Sequence, residues 1–218
     1  MRALTPPVAG TRQRGLSLVE LMVGITVGLF IVAAASMMAT NQLNDNRRLM
    51  LETNVQQELR SAMDVIAQDV RRAGYWAGAP SGVWSPDNPS VATNPNDAID
   101  SSEGATTLEF DYRIDSSRTA AGFRLHEHAV QMLIGDRWQS VTDPQTVLID
   151  TLTMQVDEHE VPLSAYCLNA CAAGSCPALK VRTVAVNLAG QAAHDGNVRR
   201  ELNSTIRLPN DKVTGSCP

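Results

Sequence analysis

The sequence predicts an α+β chain, with one long N-terminal helix packed on a head built from an antiparallel β-sheet. Three observations carry this. Residues 16–39 are an apolar run broken by few polar side chains, long enough to cross a bilayer core that needs roughly 20 apolar residues as helix. The helical pattern then continues beyond the run. Leu51, Val55, Leu59, Met63, Ile66, Val70 and Ala73 recur every three or four positions, with Gln56, Gln57, Arg60, Asp64, Gln68 and Arg71 between them, which is the stripe of an amphipathic helix. From Thr106 onward, short apolar–polar alternations separated by polar turns take over. That is the pattern of antiparallel strands, and a helix followed by a run of strands gives an α+β order.

The first element is a short basic leader, with Arg2, Arg12 and Arg14, that ends at Gly15. A secretory signal has its small-residue cleavage site after an apolar core of about 7–15 residues. Here the glycine precedes the apolar run, so a cut between Gly15 and Leu16 leaves the run on the mature chain. Arg12 and Arg14 hold the leader in the cytoplasm by the positive-inside rule, which places residues from Asn41 onward outside the inner membrane. Glu20 stands inside the run, where a carboxylate costs about 2.5 kcal/mol or more unless it is partnered or neutralised. Gly24 and Gly28 form a small-xxx-small step that admits a second helix.

No proline falls between Leu16 and Ala73, and Gly74 stands where a C-cap belongs. A single helix over 16–73 is expected, about 58 residues and about 87 Å at roughly 1.5 Å per residue. Its first part, 16–39, is apolar all round as a transmembrane segment, and its second part is one-sided. The domain boundaries are then a leader over 1–15, the helix over 16–73 and a periplasmic α+β head over 74–218.

Within the head, 74–105 carries Pro80, Pro86, Pro89 and Pro95 among Ser, Asn, Asp and Gly and is expected to be an irregular surface connection. Strands are expected over 106–114, 123–128, 129–134, 137–141, 146–156, 180–188 and 200–208. The residues beyond the helix suffice for one core.

The formal charge of −5 argues against a generally basic nucleic-acid surface. Cys167, Cys171, Cys176 and Cys217 all fall in the part placed outside the inner membrane, where an oxidising compartment favours two disulfides. Three connectivities are open. A bridge from the Ala/Gly/Ser-rich loop to Cys217 would tie down the C-terminus, and closing a loop of about 40 residues stabilises by roughly 3–4 kcal/mol. A zinc site is disfavoured because the CxxC pair typical of such sites is absent.

His126-Glu127-His128 reads as a solvated strand face with both imidazoles on one side. Asp157-Glu158-His159-Glu160 reads as a solvated acidic turn without the pattern of a calcium loop, and the Asp/Asn-rich 87–100 stretch reads the same way. Arg71 and Arg72 suit the last turn of a helix through its dipole, with Tyr75 and Trp76 expected under the sheet edge. A DNA-stacking role for that basic-aromatic group, with Arg199 and Arg200 adding charge, finds little support. There is no Gly-x-Ser-x-Gly, phosphate-cradling loop or triad, so neither catalysis nor a cofactor is expected.

Glycine at the processing point, an apolar residue after it and glutamate four further on resemble the class III leader of type IV pilins and pseudopilins. Gly15–Met22, Asn46-Arg47-Arg48, Leu59–Asp64 and Asp69–Trp76 together resemble the PilW family of minor type IV pilins over roughly the first third of the chain. The chain lacks the proline that many major pilins carry in the apolar segment, and its leader, with Pro6-Pro7, is long. The resemblance implies a type IV pilin-like fold, cleavage by a prepilin peptidase and N-methylation of Leu16. It also implies pairing of Glu20 with the freed amine of a neighbouring subunit, and partnership with other minor pilins and the major pilin. It further implies a low-abundance assembly subunit that primes or caps a pilus serving twitching, adhesion or DNA uptake. A pseudopilin of type II secretion, or a tip adhesin or DNA-binding module, are the alternative expectations.

Overall fold

The computed structural model describes residue 15, residues 17–82, 92, 94–101, 105–114, 117–172 and 174–218. The leader arginines, Leu16, Pro86, Pro89 and Asp87 lie outside the described residues. The chain divides into two compact units, 1–47 and 48–218, each described by itself.

One helix, α1, runs Leu18–Val70. Within the first unit it is exposed all round, with Leu18, Phe30 and Met37 each more than 70 % accessible. Its apolar stretch has a mean hydropathy of 2.3 and no buried residue, and by length and composition it suffices to cross a membrane. Hydroxyls in this stretch donate back to carbonyls one turn earlier, Thr26 to Met22 at 2.7 Å and Ser36 to Val32 at 2.8 Å. The apolar run therefore carries these polar side chains with their donors satisfied.

Within the second unit α1 is one-sided. Val55, Leu59, Ala62, Met63, Ile66 and Val70 are buried, while Arg60, Asp64 and Gln68 face solvent. The helix stops at Val70, three residues before the expected end, because its last turn tightens: Arg72 N–H donates to Asp69 and Ala73 N–H to Val70. Gly74, at φ +74°, leaves the helix axis and donates instead to Asp111 of the head at 3.0 Å. The left-handed conformation favours glycine there, but the bond goes to the sheet and not back into the helix.

The head holds two antiparallel sheets where the sequence suggested one. The first is a meander of β1 Ile99–Asp100, β2 Thr107–Ile114, β3 Ser117–His126, β4 Ala129–Ile134 and β5 Arg137–Ser140, in that order. The second orders β6 Val147–Pro162, β7 Ala178–Ala192 and β8 Asp195–Arg207, with β9 Lys212–Thr214 against the far part of β7. Expected strand positions hold in outline, but β3, expected over 123–128, runs Ser117–His126, β1 and β9 were not expected, and β6, β7 and β8 all reach further than their apolar alternation. Pairing extends β6 and β7 through Asp157↔Thr183 to Pro162↔Ala178, so Asp157–Glu160 is strand and not turn. His126-Glu127-His128 is likewise corrected. Only His126 ends a strand, while Glu127 and His128, at φ 50° and 60°, form the two-residue turn of the β3–β4 hairpin. With positive φ at both positions such a turn matches the twist of the flanking strands.

The core joins α1 to both sheets. Leu59 and Ile66 from the helix, Leu108 and Phe123 from the first sheet, and Ile149, Leu152, Met154, Leu188, Ile206 and Leu208 from or beside the second are all essentially inaccessible. Outside this cluster α1 is tied to the head by Glu52, which takes Arg200 at 2.7 Å, and by Glu58, which accepts Asp143 N–H at 3.2 Å. Leu59→Ala and Ile66→Ala are each expected to destabilise the head by about 2–5 kcal/mol, the range for truncating a fully buried aliphatic side chain. Gln68→Ala is expected to change stability by less than about 0.5 kcal/mol. Denaturant unfolding of the three variants checks the contrast.

Candidate assembly site

At the N-terminal end Gly15 and Ser17 are exposed, and the first bond of α1 runs from Leu21 N–H to Ser17 carbonyl at 3.0 Å. Glu20 lies in the first helical turn, where a carboxylate complements the unpaired N–H groups and the positive end of the dipole. Its neighbours Leu18, Val19, Leu21 and Met22 are all exposed and apolar. Where lipid or another helix covers such a surface, the chemistry open to a carboxylate is pairing with a cation, worth more there than in water because little dielectric screens it. Gly24 and Gly28 present open helix surface, with no atom within 4 Å of a Cβ built on either. Leu16 lies outside the described residues, so of the expected cleavage position only Gly15 and Ser17 on either side are described.

At the other end of α1 a clamp forms that the sequence reading missed. The carbonyls after the helix have no helical partner, and three asparagine side chains satisfy them. Asn210 donates to Ala73 at 2.9 Å, Asn94 to Gly74 at 2.7 Å and Asn96 to Tyr75 at 3.0 Å. Arg182 organises this group. It is 2 % accessible and donates to the Asp97 carbonyl at 2.7 Å and the Asn210 carbonyl at 2.9 Å, with the Asp97 carboxylate 3.1 Å away. Lys212 pairs with the other oxygen of Asp97. One signal for Arg182 was present. It occupies an inward position of β7, in phase with Val184, Val186 and Leu188, and a guanidinium in that phase needs a buried carboxylate or carbonyl.

Beside the clamp, Asp69 is 4 % accessible and Arg72 reaches one of its oxygens at 3.3 Å. The other oxygen is buried with no hydrogen-bond partner among the described residues. Burial raises the Asp69 pKa above its ordinary value, and the Arg72 charge offsets this only in part. Tyr75 is half exposed and not packed under the sheet, as its type suggested.

The cysteines settle into Cys167–Cys217 and Cys171–Cys176. The first bridge fixes the C-terminal strap, whose β9 pairs with β7 and whose Asn210 and Lys212 belong to the clamp. Arg199 and Arg200 pair with Asp150 and Glu52, apart from Arg71 and Arg72. Among the described residues no group of three His, Cys, Asp or Glu side chains is placed to hold a metal.

Two family models match the chain. One, described as prepilin peptidase-dependent protein B, matches residues 48–208. The other, described as the prokaryotic N-terminal methylation motif, matches residues 10–36. No curated protein and no solved structure matches.

Arg182→Ala leaves Asp97 with Lys212 alone and opens the clamp, so a loss of about 1.5–3 kcal/mol is expected, as for removing hydrogen bonds to a charged group, read by urea unfolding. For Asp69 the sign follows from its raised folded pKa. Ionisation opposes folding, an effect absent below the unfolded value of about 3.9 and complete above the folded one. The stability of Asp69→Asn relative to the parent chain is therefore expected to grow as pH rises through that window. A gap that shrinks with pH would contradict the burial argument.

Proposed function

The chain belongs to the prepilin peptidase-dependent protein B family, and from that membership we propose that it is a PilW-type minor type IV pilin that helps initiate or cap pilus assembly. Dependence on prepilin peptidase and a type IV pilin-like character follow from the two family matches. In the proposed sequence of events the peptidase cuts between Gly15 and Leu16 and the new terminal amine is methylated. Residues 16–39 hold the subunit in the inner membrane as a single span, with the leader arginines cytoplasmic and the head, 74–218, periplasmic. The subunit then enters a fibre beside other minor pilins and the major pilin.

The observation that carries this reading is Glu20 in the first turn of α1, whose first part is apolar and exposed, within residues matched by the methylation motif. A carboxylate there is costly alone and becomes favourable when a neighbour's freed amine lies against it, which also fixes the axial register of one subunit on the next. Gly24 and Gly28 let the neighbouring helix approach. The protein's work is then packing and charge pairing without turnover.

Replacing Glu20 with leucine is expected to leave processing and membrane insertion intact and to cut incorporation into sheared fibres at least tenfold, the effect of about 1.4 kcal/mol or more. Parent levels of the variant in sheared fibres would remove the register role. Deletion of the protein is expected to abolish surface pili while exoprotein release continues; the reverse pattern would assign it to a secretion system as a pseudopilin.

A further inference from the structure

The far part of the second sheet ends in an apolar tip. Beyond Val156 every residue of β6 is exposed, and between the paired ends of β6 and β7 the described loop residues are 163–172 and 174–177. Tyr166 is 70 % accessible, Leu168 88 % and Val161 37 %. Two large apolar side chains so exposed on one loop, Tyr166 and Leu168, suit an interaction surface.

The tip is also cross-linked. Cys171–Cys176 closes the loop on itself and Cys167–Cys217 fastens it to the C-terminal strap. Leu163 N–H donates to Pro177 at 2.8 Å and Ser216 N–H to Ser175 at 3.2 Å. A surface ordered beforehand loses little conformational freedom on docking. Its flank is acidic: Asp157, Glu158 and Glu160 are exposed on β6, and only Glu158 has a described cation, Lys180 at 3.3 Å. That charge disfavours an anionic lipid surface and favours a protein pocket with an apolar floor and a cationic rim.

The same chain supplies such a pocket. A groove of about 260 Å³ is lined by Arg71, Arg72, Tyr75, Tyr112, Pro209 and Asn210. Its space equals eight or nine water molecules at roughly 30 Å³ each, enough for one aromatic side chain. Tyr112 is buried at its floor, while Arg71, Arg72 and Pro209 are exposed.

We propose that the tip docks into this groove on a second copy of the chain. Tyr166 enters between Tyr75, Tyr112 and Pro209 with Leu168 against the rim, and Arg71 and Arg72 face the acids of the ribbon. The donor and acceptor patches differ, so a copy that gives its tip keeps its groove open. The contact is heterologous and can repeat. It does not depend on the Glu20 pairing, and either can fail without the other.

The test places a photoreactive benzophenone amino acid at position 166 of the full-length chain in cell membranes, followed by mass spectrometry of the cross-linked species. The expected product joins two copies, through peptides containing residues 71–75 or 209–212. Arg71→Glu is expected to lower its yield about tenfold or more, as for loss of a central interface residue, with both disulfides and the level of the chain unchanged. Cross-links only to a different protein or to lipid would overturn the proposal. So would no cross-link at all, or a self-cross-link indifferent to Arg71→Glu.

Discussion

The constraint on which the rest of the structure depends is that a single helix meets two kinds of surroundings. Over its first part α1 is apolar on every side and buries nothing within the chain. Over its second part it buries one stripe, Val55 to Val70, and leaves Arg60, Asp64 and Gln68 to water. Among the described residues nothing covers this first part, and an apolar surface of that length suits lipid or other helices. The second supplies the head with the element around which both sheets close. Glu20 matters because it is the ionisable group set into the part that demands an apolar surrounding.

The helix end shows how the head holds that element. Leaving α1 frees carbonyls that must find donors. Asn94, Asn96 and Asn210 supply them from segments far apart in sequence, and Arg182 ties the segments together through Asp97 and the Asn210 carbonyl. The C-terminal strap that carries Asn210 and Lys212 is in turn fixed by β9 and by Cys167–Cys217. The last residues of the chain thus act on the end of its first element.

Much of this was legible in the sequence. The stripe Leu51 to Ala73 named the buried face of α1 almost residue by residue, because a 3.6-residue period is written by the core itself. Strand positions followed where apolar alternation was regular, as in Leu108, Phe110 and Tyr112. Strand ends did not, because β6 and β7 extend through Asp157–Pro162 by backbone pairing, to which side-chain polarity is indifferent. Glu127 and His128 misled because they adopt positive φ without the Asn or Gly that usually announces it. The asparagine clamp was invisible for a different reason. Its partners are main-chain carbonyls brought close by tertiary structure, and an asparagine in a loop carries no sequence mark of what it will cap. The pairing of the four cysteines was open for the same reason.

The account's central claim is that the apolar first part of α1 is the exposed N-terminus of a processed subunit. The most direct measurement is the N-terminal residue of the protein recovered from cells, by intact mass and terminal sequencing. A chain that begins at N-methylated Leu16 is the predicted result. A chain that still begins at Met1, in cells whose prepilin peptidase is active, would contradict it and leave a plain membrane-anchored head.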